Sequence, residues 1–335
     1  MTFLSGLTNT IADVGGLKIG HASNSNLKSG VTVVIADKPA TAAVSILGGA
    51  PGTRETDLLE PHNLVETVDA IVLSGGSAFG LDAASGVQAW LHENGRGFKV
   101  GPHRVPIVPA AILFDLINGG DKNWGRYSPY RELGFTAAET AIATTGLGSI
   151  GAGIGALTAN LKGGLGTASA KVGNFTVGAI VAVNAIGSAT LGDTPHFWAS
   201  PFEQGKEFGG LGLLLSKIDV GLPIKFRDQS GKEKSNTTIA IIATDAVMTK
   251  AQAKRLAISA HDGFARALWP SHTPLDGDTV FAMATGTSTV SPELDDFIDL
   301  CAASAAVMAR AIARGVFAAN DAENDLMPTW KKRFG

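Results

Sequence analysis

The sequence predicts one large mixed α/β unit, layered around a single core. Three observations lead there. The chain has 335 residues, 45% of them hydrophobic and only 17% charged, so apolar material is plentiful. Its strand-like runs are short and rich in Val, Ile, Thr or Ala, and several are apolar on both faces, as strands covered from both sides would be. Longer runs with helical spacing of apolar residues alternate irregularly with them, and no internal repeat is visible. Low charge and 42 glycines further suggest tightly packed layers and surface hidden in an oligomer.

Taken in order, residues 30–36, 42–47 and 70–73 read as strands and 81–93 as a helix. Residues 110–116 read as a further helix, and 175–183 and 238–244 as strands. The helix over 251–268 has a start signal: Thr249 can cap it, and Gln252 completes a capping box. Leu256, Ala260, Phe264 and Ala267 then form an apolar stripe, which is core rather than site. A last helix covers 294–314 and carries the single cysteine, Cys301, in an Ala-rich setting that reads as packing. One thiol makes no internal disulfide, which fits a reducing compartment.

Net charge is −3 and no Lys/Arg cluster occurs, which argues against nucleic-acid or anionic-membrane partners. The opening "MTFLSGLTNTIADVGG" has neither a basic region nor a sustained apolar core, so no signal peptide is expected. The uncharged stretch 140–161 comes closest to a membrane span, but its Gly, Thr and Ser content argues against one. A cytoplasmic protein is the expectation.

The one obvious linker is 225–236, "KFRDQSGKEKSN", with six charges in twelve residues of a charge-poor chain. It reads as a solvated, flexible loop. It divides the chain into 1–236 and 237–335. The second piece opens on a strand that should be buried, so one core is expected to span the division.

Several stretches carry possible chemistry. The Gly-rich run 146–166, "GLGSIGAGIGALTANLKGGLG", is neither a P-loop nor a dinucleotide fingerprint, because the lysine and the ribose-binding acid fall in the wrong places. Lys162 is the lone charge in that region; read by itself, it is either solvated, the favoured reading, or buried with a partner. Asn184 closes an apolar strand, either as a turn former or as an amide donor to an oxyanion. Asp276 and Asp278, in "HTPLDGDTVFA", make a turn or a carboxylate pair, with a histidine upstream that leaves metal binding open.

At the junction, "SNTTIAIIATDA", a polar run meets a β-branched one. Breaking the bond between Asn236 and Thr237 would give Thr237 a free α-amino group with a pKa near 8 beside its own hydroxyl, nucleophile and base in one residue.

Six stretches then resemble the S58 peptidase family, over roughly 15–314: "GGAPGTRETDLL" (48–59), "VDAIVLSGGSAFGLDAASGV" (68–87), "VPIVPAAILFDL" (105–116), "KGGLGTAS" (162–169), "NTTIAIIATDA" (236–246) and "AHDGFARALWPSHTPLDGDTVFA" (260–282). Its members include L-aminopeptidase/D-esterases, β-peptidyl aminopeptidases and 6-aminohexanoate-oligomer hydrolases, and the last group is the one this sequence most resembles. The resemblance implies an α+β, four-layer αββα sandwich of N-terminal-nucleophile type. It also implies autocleavage between Asn236 and Thr237 into a larger and a smaller chain, and a homo-oligomer, a tetramer of such pairs. By residue, it implies Thr237 as nucleophile and base, Asn184 as oxyanion donor, Lys162 as assistant to the nucleophile, and Asp276 and Asp278 as supports of the Thr237 network. Ser74, Gly75, Gly76, Ser77 and Phe79, with Phe114, would line the substrate cleft. Phe114 stands where the nylon-oligomer hydrolases carry a tyrosine, and Tyr127 and Tyr130 are the only tyrosines present. No metal or cofactor is implied. The expected activity is hydrolysis of nylon-type oligoamides. The runner-up is hydrolysis of short peptides with β- or D-residues or free N-termini. An unprocessed binding or assembly protein is the alternative of another class.

Overall fold

The computed structural model describes residues 3–227 and 236–335. In chain order these form β1 (Leu17–Asn24), β2 (Ser29–Ile46), β3 (Thr53–Arg54), β4 (Thr67–Ser74), α1 (Ala83–Glu93), β5 (Phe98–Val100), β6 (His103–Val105), β7 (Ala110–Ile112), α2 (Tyr130–Glu139), β8 (Gly164–Val172), β9 (Phe175–Asn184), β10 (Thr237–Thr244), α3 (Lys250–Ala265), β11 (Thr279–Ala284), α4 (Leu294–Phe317) and α5 (Trp330–Phe334).

Nine of the strands share one sheet in the order β3-β7-β4-β2-β11-β10-β9-β8, with β1 paired to β2. The runs 30–36 and 42–47 are parts of one long strand, β2. Residues 31–35 and 40–41 of β2 pair with β4 and residues 41–46 pair with β11, with an irregularity of register between Ile35 and Ala40. The irregularity falls where β2, keeping β4 on one edge, exchanges β1 for β11 on the other.

Three apolar clusters follow. One joins α3 and α4 to Val181, Val183, Ala240, Ile242 and their neighbours. The second collects Ile19, Val34, Ile71 and Leu73 with Ile180, Ile239, Ile241 and Phe281, so the two halves of the sheet share it. The third packs α1 and α2 on Val31, Val33, Ala70 and Val72. Alternation along β10 sorts its residues: Ile239 and Ile241 enter the second cluster, and Ala240 and Ile242 the first. Both faces are covered, which is why β10 reads as a continuous apolar run.

α3 begins as expected, with the reciprocal Thr249–Gln252 capping box, and Leu256, Ala260, Phe264 and Ala267 are buried. α4 has the length and hydropathy of a membrane span, yet most of it is buried in the molecule. Half-buried Cys301 packs against the first cluster.

Two expectations are corrected. Residues 110–116 do not form a helix: 110–112 are strand β7, parallel to β4 and antiparallel to β3. A run this short, apolar and buried gains more from ladder pairing than from its helix propensity. The linker 225–236 is not solvated at its ends, because Lys225, Phe226 and Asn236 are buried. Its middle, 228–235, lies outside the described residues.

Candidate active site

Thr237 opens β10 directly opposite Asn184, the last residue of β9. Directly opposed residues of an antiparallel pair project to the same face, so the two side chains are neighbours. The parity that buries Ile239 and Ile241 in the second cluster aims Thr237 toward the same space. On its other side β10 runs parallel to β11, whose preceding turn carries Asp276 and Asp278.

The Asn236–Thr237 peptide is held from several directions. The Asn236 N–H donates to Leu275 O at 3.2 Å, and the Asn236 carbonyl accepts the Gly277 N–H at 2.9 Å. The Thr237 hydroxyl donates to that same carbonyl oxygen at 2.5 Å. The Thr237 hydroxyl thus rests against the carbonyl of its own preceding peptide. Gly277 allows this closeness: a Cβ there would lie 2.7 Å from Thr237 Oγ1 and 2.7 Å from Ala50 O. The loop at 48–50 closes the turn from outside, with Gly48 N–H donating to Asp278 O and Ala50 N–H to Asp276 O.

Both aspartates are buried. Asp276 accepts from the Thr273 N–H, the Thr273 hydroxyl (2.7 Å) and the Ile186 N–H. Burial, then the charge of Asp278, raise its carboxyl above the usual carboxylate range. Asp278 accepts the Thr238 N–H at 2.9 Å with one oxygen. With the other it takes the His272 N–H at 3.0 Å and contacts His272 Nδ1 at 2.9 Å. Burial works against charge on His272, but the hydrogen bond and charge of Asp278 outweigh it and hold this imidazole above its usual value. Beside it His261, pushed down to about 4 by burial, sits with its ring edge-on at 4.9 Å. The histidine upstream of the aspartates therefore acts here as a hydrogen-bonding partner of Asp278.

Asn184 is held at both ends of its amide. Its Nδ2 donates to Phe114 O at 2.9 Å, and its Oδ1 accepts the Leu157 N–H at 3.0 Å and the Lys225 ammonium at 3.1 Å. A narrow cavity here is lined by Phe114, Asp115, Asn118, Leu157, Asn184 and Lys225, among others. Lys162 is not part of this lining. It is buried, with its ammonium on Asp325 at 2.7 Å and Asn320 O at 2.9 Å, so the favoured solvated reading is corrected and the position beside Asn184 belongs to Lys225.

The turn after β4 serves the same cavity at one remove. Gly76 N–H donates to Asp115 Oδ1 at 2.8 Å, Ser77 N–H donates to Leu113 O, and Ser74 is buried with its hydroxyl on Gly75 O. Phe79 is half exposed and edge-on to Trp124. Phe114 contributes its carbonyl to Asn184. Tyr130 is buried and its hydroxyl reaches Asp115 through Ser29, whereas Tyr127 is exposed. Sequence reasoning missed Lys225 and Asp115 as members of this constellation, and noted His272 only as a possible metal ligand. For Lys225 the local signal misleads, since it opens the most highly charged stretch of the chain.

The model of peptidase family S58 matches residues 9–326. An uncharacterized aminopeptidase of Mycobacterium tuberculosis is 40% identical, covering 97% of this chain and 98% of its own length. A 6-aminohexanoate-oligomer endohydrolase of Paenarthrobacter ureafaciens is 27% identical over 82% of this chain and 74% of its own. Among solved structures, a Burkholderia sp. beta-aminopeptidase superposes with a TM-score of 0.69 at 22% identity, covering 99% and 94% of the two chains. The L-aminopeptidase D-Ala-esterase/amidase from Ochrobactrum anthropi, described as a variant of the Ntn-hydrolase fold, gives 0.72 at 19% identity, covering 99% and 93%. The α+β arrangement is thus that of Ntn-hydrolase-type aminopeptidases.

Proposed function

We propose that this chain, which belongs to peptidase family S58 and is a hydrolase of amide or peptide bonds, cuts itself between Asn236 and Thr237 and then uses Thr237 as nucleophile. The observation that carries this reading is the Thr237 hydroxyl lying 2.5 Å from Asn236 O while Gly277 N–H binds that same oxygen. In processing, Oγ bonds to the Asn236 carbonyl carbon and the C–N bond breaks. The Thr237 nitrogen takes up the proton and leaves an Asn236 ester on Oγ. Water then releases the Asn236 carboxylate, and Thr237 keeps a free amino group and hydroxyl.

In turnover the same hydroxyl attacks an amide carbonyl while the Thr237 amine takes its proton. The amine returns that proton to the leaving nitrogen, and water hydrolyses the acyl-enzyme. Asn184 Nδ2 has a second N–H free to face the developing oxyanion, and Asp276 and Asp278 keep the turn against β10. Lys162, committed to Asp325, supports the C-terminal segment in this reading and leaves the chemistry to other groups.

The substrates we infer are short linear amides with a free amino end. The 40% identical relatives named aminopeptidases favour short peptides over 6-aminohexanoate oligomers. The reading includes the four-layer αββα arrangement, with 1–236 and 237–335 staying together in a homo-oligomer. Intact mass of the purified chain should show two fragments, the smaller beginning at Thr237. Thr237→Ala should stay whole and hydrolyse neither amino-acid amides nor 6-aminohexanoate oligomers. A wild-type chain that stays whole and inactive means a binding or assembly protein on the same fold.

A further inference from the structure

Lys225 is the buried charge nearest this site that the proposed chemistry has not used. It is 3% exposed, and its backbone N–H is fixed to Ile186 O at 2.9 Å. Its ammonium meets three acceptors: Leu157 O at 2.8 Å, Asn184 Oδ1 at 3.1 Å and Asn184 O at 3.3 Å. An ammonium has three donors, so none is left to spare. Two of these contacts are on Asn184, the residue paired with Thr237.

We propose that Lys225 is a positioning residue for the reaction of Thr237, fixing and polarising the Asn184 amide that faces the nucleophile. The proposal rests on the Thr237 reading above. Asn184 Oδ1 is held by Leu157 N–H and by a cation, which sets the amide plane. A positive charge on Oδ1 draws electron density from Nδ2 and makes its N–H groups stronger donors, and a charge-assisted hydrogen bond is about twice as strong as a neutral one. In the low dielectric of this site that polarisation is worth more than in water.

The ammonium must be charged to do this. Burial pushes Lys225 down to about 7, against the pull of Asp276 and Asp115. Asp276 comes from the turn before β11 and Asp115 from the segment after β7, where Lys122 and the Ser29 hydroxyl also face it. Asp278 and His272 lie behind Asp276. Processing, in which the Thr237 nitrogen is still an amide, should therefore slow as pH rises through neutrality, whereas turnover, which also needs the free Thr237 amine, should peak between the two values and fall on the alkaline side.

The test uses full-length wild type, Lys225→Met, Lys225→Arg and Thr237→Ala. Fragment formation is followed by intact mass from pH 5.5 to 9, and turnover by an L-amino-acid p-nitroanilide. Lys225→Met should slow both reactions about 10- to 100-fold with KM little changed, and should lose the alkaline fall. Lys225→Arg, which stays charged, should move that fall to higher pH. A merely structural lysine would change the yield of folded protein and leave the pH profile in place. If Lys225→Met gives only insoluble protein, Lys225→Arg decides: a fall moved upward supports the proposal, and an unmoved one overturns it. Lys225→Met that matches wild type in rate and profile also overturns it. Fragments from Thr237→Ala would overturn the nucleophile and this proposal together, whereas an uncut Thr237→Ala with an unmoved fall in Lys225→Arg overturns only the role of Lys225.

Discussion

Asp278 ties three backbone stretches together: Thr238 in β10 and His272 through its carboxylate, and the loop at 47–48 through its own peptide carbonyl. Its partner His272 makes the tie sensitive to pH. A raised imidazole pKa in the folded chain means that this contact stabilises fully below the unfolded value of about 6.5 and is lost as pH rises through the folded one. Against His272→Gln, the wild type should hold an advantage of about 1.5 kcal/mol at pH 5.5, as expected of a hydrogen bond to a charged group. That advantage should shrink at pH 8.5, measured as the difference in Tm between the two proteins across pH; a difference that does not change with pH refutes the linkage. At this scale the sequence is legible where residue type and chain position coincide. The place of Thr237 at the head of a buried strand is legible, and so is the place of the Asp pair in a turn. Lys225 is not. Its neighbours Arg227 and Asp228 advertise a solvated stretch, and burial depends on Ile186 and Leu157, which no local pattern connects to it. Lys162 misled in the opposite sense, because its partner Asp325 lies far along the chain.

Among the elements, the contact of α4 with β8 shows what the glycines of "KGGLGTAS" accomplish. A Cβ at Gly166 would sit 1.8 Å from Ala311 O, so helix and strand backbones meet where no side chain fits. Gly166→Ala should force α4 off the sheet and destabilise the protein by at least about 1–3 kcal/mol, read as a lower urea midpoint. A midpoint equal to wild type would show that the helix has room to yield. β8 was not foreseen, since Gly and small residues carry no strand propensity and the close approach that favours them is tertiary. The helix expected over 110–116 failed for the related reason: a strand three residues long has too few positions to show a period, and β7 owes its form to β3 and β4 on either side. Where the pattern was long and capped, as in α3, expectation and structure agree.

For the whole molecule, the proposed scission at 236/237 would fall in the middle of one sheet. β10 lies between β9, from the larger piece, and β11, from the smaller, and β11 pairs in turn with β2. α4 packs on β8 and β9. The two fragments should therefore co-elute on size exclusion after processing and part only in denaturant; separation in native buffer would mean that they do not share the core. The pairing of Thr237 with Asn184 has one more consequence. These residues are brought together only when β9 and β10 have paired, after a connection of some fifty residues has closed. A chain that has collapsed wrongly has the same Asn-Thr bond but no Gly277 N–H on its carbonyl and no Asn184 across from it. In the proposed reaction, self-scission would be a record of successful folding, written once into the covalent chain, and the uncut fraction of a preparation would count the molecules that never reached the native state.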